Sequence, residues 1–147
     1  MPVTLTTGMF PVAQLPAAQV VSVRIFLGNL ENRPRQGTVE VSRMVDGNKQ
    51  HLRAEEVEVP GDSVIAIELP SEDVEGRTIE VTVTVPTDGF AVGALPLVPG
   101  LAVISFFTGE ATTSILQWIS SDDFIQVGQP QEVPAVAGAG GLKVGNP

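Results

Sequence analysis

Few residues in this chain could do chemistry, and their spacing does not bring them together. His51, in Gln50-His51-Leu52, is the only histidine, and the sequence has neither cysteine nor tyrosine. A general base needs a nucleophile beside it and a partner that orients its ring. A triad would have to join His51 to a serine and an acid. No Gly-x-Ser-x-Gly elbow is present, and Gly61-Asp62-Ser63 has the residue types of a turn. His51 is therefore expected to be an ordinary strand-end residue. Without cysteine, disulfides, thiolate nucleophiles and zinc–thiolate sites are excluded.

Acidic residues pair at Glu55-Glu56, Glu72-Asp73 and Asp122-Asp123. Two carboxylates across a cleft hydrolyse glycosides. Loop oxygens such as those of Asp122 and Asp123, or Asp46 and Asn48, suit calcium. No EF-hand loop or Gly/Asp repeat accompanies them, so solvated turn acids are the expectation. Gly138 to Lys143 sets glycines before a lysine but lacks the Gly-x-x-x-x-Gly-Lys-Ser/Thr spacing of a phosphate loop. Trp118, the only tryptophan, could stack against a sugar. Like Phe10, Phe26, Phe90, Phe106, Phe107 and Phe124, it is read first as core or interface. The chain is not expected to be an enzyme, and no catalytic, cofactor or metal site is assigned.

The charge balance narrows the partners. Seventeen acidic residues face eight basic ones, for a net charge of −9, and the basic residues form no dense run. Nucleic acid needs a basic stripe to neutralise phosphates, and anionic membrane surfaces are disfavoured for the same reason. No stretch reaches the roughly 18 apolar residues of a membrane span, so membrane insertion is not expected. Met1 to Gly8 has neither the basic nor the apolar region of a secretory signal. Synthesis in the cytoplasm is expected, with exit by lysis or a signal-less route. The hydrophobic fraction is 43% and the charged fraction 17%, against roughly 25% charged in average proteins. That is more apolar surface than one small core needs, and it points to burial between subunits.

The elements that must position these residues are strands. Val21, Val23, Ile25 and Leu27 alternate with Ser22, Arg24, Phe26 and Gly28, a period of two that marks one buried face. Val39 and Val41 continue it, and Asp46-Gly47-Asn48 is a hairpin turn. Pro60-Gly61-Asp62-Ser63 is a second turn, with glycine supplying positive φ. Ile79, Val81, Val83 and Val85 form the clearest strand, opposite Thr78, Glu80, Thr82 and Thr84. Leu101 to Phe107 is a nearly continuous apolar run, as in a central strand buried on both faces. Thr112 to Ile119 and Phe124 to Val127 follow as strands. The expected fold is an all-β, immunoglobulin-like sandwich of about seven to nine strands with extended termini. Very little helix is expected, and a jelly roll or small barrel remains the alternative. Residues 1–17 are read as a strand-like arm and loop, 18–128 as the sandwich, and 129–147 as a Pro/Gly/Ala-rich tail.

The stretch Leu5-Thr6-Thr7-Gly8-Met9-Phe10-Pro11, then Val21 to Leu30 and Arg33 to Val41, and the late block Ala102 to Gly109 leading to Val127, resemble a group of small immunoglobulin-like proteins of spore-forming Gram-positive bacteria. The resemblance implies a surface, spore-associated or appendage component, with no catalytic residues to carry over. Here the late strand ends Phe106-Phe107-Thr108-Gly109, and the tail lies outside the resemblance. The expected function is a self-assembling structural subunit of an extracellular filament, appendage or coat, its partners copies of itself. Strand addition would join the copies, with Val3 and Leu5 inserted and Phe10 anchored beside them. The alternatives are a virion component seated on a capsid lattice, and a carbohydrate- or calcium-binding module.

Overall fold

The two-residue alternation becomes ten strands in two antiparallel sheets that pack as a sandwich. In chain order these are β1 (Val3–Thr6), β2 (Phe10–Pro11), β3 (Gln19–Asn29), β4 (Arg35–Val45), β5 (Asn48–Val59), β6 (Ser63–Leu69), β7 (Thr78–Val85), β8 (Leu97–Phe107), β9 (Thr113–Ile119) and β10 (Ile125–Val127). A computed structural model describes residues 2–16, 18–86, 97–109, 113–127, 142–143 and 145–146. One sheet runs β10-β1-β7-β4-β5, with β2 also paired to β7, and the other β6-β3-β8-β9. Among the described residues, a four-residue helix, α1 (Ser71–Val74), and one 3-10 turn are the only helical pieces. Leu142–Lys143 and Gly145–Asn146 form a separate two-stranded ladder. The rest of the expected tail and Phe90 lie outside the described residues.

The core follows from parity. Val21, Val23, Ile25 and Leu27 of β3 and Ile79, Val81, Val83 and Val85 of β7 are all fully buried. Burying each such side chain contributes roughly 1.5–3 kcal/mol, so these two strands carry much of the folding free energy. β7 lies between β1 and β4, and β3 between β6 and β8. β8, which carries the longest apolar run, lies between β3 and β9, so two neighbours shield it as well.

Three local features differ from the sequence reading, each for a physical reason. At the β4–β5 hairpin the positive φ falls on Asp46 (51°) and Gly47 (80°), with Asn48 already in β5. Two consecutive positive φ values are what a tight primed turn between twisted strands requires. At the second turn Asp62 (φ 54°), rather than Gly61, takes the left-handed conformation. Gly61 is needed for space: a Cβ there would lie 2.4 Å from the backbone carbon of Asn32. Finally, β8 begins at Leu97 and runs through Pro99, well before the expected start at Leu101. The pairing with β9 ends at Leu101↔Ile119, so at Pro99 the strand has a partner only on the β3 side. A residue without an N–H is tolerated there.

Candidate functional site

The residues singled out for an interface lie inside the chain's own sandwich. β1 pairs with β7 through Val3↔Val85 to Thr6↔Thr82, and on its other side with β10. Leu5 and Phe10 are each 6% exposed and belong to the core, with Val3 packed against it. An interface through these residues would require β1 to leave its ladder and a neighbour's β1 to replace it.

His51 is exposed on β5 and faces Ser42 of β4, which in turn faces Glu80 of β7. A histidine, a serine and an acid thus share one row, but the serine stands between the other two. The acid cannot orient the imidazole in that order. Both Glu80 oxygens are also engaged: Thr6 Oγ1 donates to Oε2 at 2.7 Å, and the Lys49 ammonium pairs with Oε1. The hydrogen bond from Lys49 and that from Thr6 hold the Glu80 carboxyl below its ordinary pKa, against a smaller opposing effect of burial. Among the described residues no cluster of three His, Asp or Glu side chains could hold a metal ion, and no helix is long and apolar enough to cross a membrane.

The two outer faces of the sandwich differ in kind. The sheet containing β7 presents Thr78, Glu80, Thr82 and Thr84, the polar face expected of a solvated sheet. In the other sheet the residues opposite the core-facing positions of β8 are Val98, Gly100, Ala102, Ile104 and Phe106. Ala102 and Ile104 are 3% and 4% exposed, yet neither belongs to the core cluster. Ser22, paired with Ile104, is also buried, and its hydroxyl has no hydrogen-bond partner among the described residues. Beside them the Trp118 ring lies 5.9 Å from that of Phe26. Gly100 makes room for it, since a Cβ there would lie 3.1 Å from the indole.

This apolar face reaches the free edge at β9. Of nine large hydrophobic residues left exposed among the described residues, five lie on β9 and β10: Ile115, Leu116, Trp118, Ile125 and Val127. Only the 3-10 turn Ser121–Asp123 and its flanking residues connect these strands, so both edges occupy one flank of the sandwich. A bulge leaves Leu116 without a β8 partner, because Val103 pairs with Gln117 and Ile104 with Ile115. An edge strand offers unpaired N–H and C=O groups to another chain. With apolar side chains on the same strand, this flank can bind an extended backbone and bury hydrophobic surface together.

The sequence reading marked Trp118 but passed over Ile115, Leu116, Ile125 and Val127. The available signal was the uncharged run Thr113-Ser-Ile-Leu-Gln-Trp-Ile119. No family model and no curated protein matches the chain.

Proposed function

We propose that this chain is a structural subunit that associates with copies of itself, as part of a filament, appendage or coat at a cell or spore surface. One observation carries the self-association: the β9–β10 flank gathers most of the exposed large hydrophobics beside an unpaired sheet edge. Large exposed apolar patches mark interaction sites, and an exposed apolar edge strand is a template for pairing. The surface location rests on the resemblance to immunoglobulin-like proteins of spore-forming bacteria. The mode of association is strand addition, made at β9 while β1 keeps its place in its own sheet. Negative-stain electron microscopy with light scattering over a concentration series tests this reading. Regular assemblies of copies are the expected result, and a 15.4 kDa particle at every concentration would overturn it.

A further inference from the structure

We infer that Glu80 is an acid-sensitive latch that holds the C-terminal end of β1 in its own sheet. The inference concerns how one chain keeps its first strand, so it stands or falls apart from the self-association proposed above. β1 is four residues long, and its ladder with β7 ends at Thr6↔Thr82. The chain leaves that ladder at Thr7 and Gly8 before returning to β7 as β2. Side chains fasten this exit. The Gly8 N–H donates to Thr6 Oγ1 at 3.0 Å, and the Thr6 hydroxyl donates in turn to Glu80 Oε2 at 2.7 Å. Beside them the Thr7 N–H donates to the Val81 carbonyl and the Val81 N–H to Thr7 Oγ1, each at 3.0 Å. The other Glu80 oxygen pairs with the Lys49 ammonium. One carboxylate on β7 therefore ties β1 to β5, with β7 and β4 between them.

Both ties need the ionised form. Hydrogen bonds to a charged acceptor are about twice as strong as neutral ones. A proton on Oε2 would turn the acceptor that Thr6 uses into a donor, and a proton on Oε1 would remove the acceptor that Lys49 uses. The groups around Glu80 set where this happens. β1 and β10 carry no ionisable side chain. On β4, Ser42 faces Glu80 and Glu40 lies two residues away on the same side; on β5, His51 faces Ser42. Lys49 and a protonated His51 favour the carboxylate, and Glu40 opposes it. Lys49 and Thr6 hold the Glu80 carboxyl below its ordinary 4.5, so the latch is fully closed above that value and opens as pH falls through the lowered one. Because β1 stands between β7 and β10, and Thr6 pairs with Ile125, opening also loosens β10.

Amide hydrogen exchange of the full chain, read residue by residue and corrected for the intrinsic rate at each pH, tests the latch. Between pH 7 and pH 3 the protection of Thr7, Gly8 and Val81 should fall about three- to fivefold, the scale of a part-exposed ion pair. Val23 and Ile25 in the middle of β3 should hold theirs. Glu80→Gln should show the reduced protection already at pH 7 and no further fall. Lys49→Gln should move the fall to higher pH, which loss of a merely structural contact would not do. An equal fall in Glu80→Gln assigns the change to other carboxylates and overturns the latch. Constant protection in the parent overturns it too, and so does a loss shared by β3, which is unfolding of the whole sandwich.

Discussion

Asn29 shows how much one buried side chain can organise in a protein made of strands. It is 2% exposed at the end of β3, and its Nδ2 donates to the carbonyls of Arg33, Val59 and Pro60 at 2.8, 3.0 and 3.2 Å. Its Oδ1 accepts from the Glu31 N–H at 2.9 Å. Four backbone groups, two in the loop after β3 and two where β5 ends, meet at one amide. Each buried group left without a partner costs about 1–3 kcal/mol, so Asn29→Ala should lose about 2–3 kcal/mol. Asn29→Asp, nearly the same shape, should lose more at neutral pH, because a carboxylate turned towards three carbonyls only accepts. Urea midpoints of both variants check the order. Glu80 makes a pH prediction. Its pKa is lowered in the folded state by Lys49 and Thr6, so its contribution is complete above the ordinary glutamate value of 4.5. That contribution is lost as pH falls through the lowered folded value. Glu80→Gln should therefore be less stable than the parent at pH 7, with the gap closing towards pH 2. Lys49 is 56% exposed, so solvent screening keeps the difference small, and added salt should shrink it further. Melting temperatures over that range test the sign.

At the scale of elements, β1 is where the two accounts of the N-terminus part. An arm held by a neighbour would be dispensable to the fold, and deleting residues 1–9 would leave a stable monomer. In the pairing described above, the deletion strips a strand from between β7 and β10 and removes Leu5 from the core. Leu→Ala alone in a core costs 2–5 kcal/mol, so the deletion should lower the unfolding free energy by at least that much. Chemical denaturation of the truncated chain checks this. The same element shows where the sequence is legible and where it is not. β7 can be read directly, because every second residue is β-branched or aliphatic and all of those are buried. β8 can be read as doubly covered, because Ala102 and Ile104 fill its outer face as Leu101 and Val103 fill its inner one. Four residues of β1 carry the same alternation, but their partners lie some eighty positions away. Pairing over such a separation leaves no local mark. Trp118 stood out by type alone, whereas the exposure of Ile115 and Leu116 follows from β9 being last in its sheet. Edge position is a property of topology, so the candidate surface was only partly visible in the residues.

For the whole molecule, the telling property is the contrast between a Thr/Glu face and one that is apolar along β8 and β9, with only the Arg24–Glu68 ion pair beside it, on opposite sides of a single core. The composition anticipated surplus apolar surface, and the sandwich concentrates it on one sheet and one flank. Association at the uncharged strand β9 of a molecule carrying −9 should respond to salt in a characteristic direction. Screening weakens the general repulsion between copies, with a Debye length near 10 Å at 0.1 M falling to about 3 Å at 1 M. Apolar burial survives it, so self-association should strengthen as salt rises, and a contact made of ion pairs would weaken. Light scattering at fixed protein concentration over a salt series decides the sign. The same flank gives the molecule an optical property. With no tyrosine and a single tryptophan, its fluorescence comes almost entirely from Trp118, 54% exposed on β9. Any partner that covers this edge takes that indole out of water and moves its emission towards the blue. The unlabelled protein therefore reports occupancy of the very strand on which its assembly is proposed to depend.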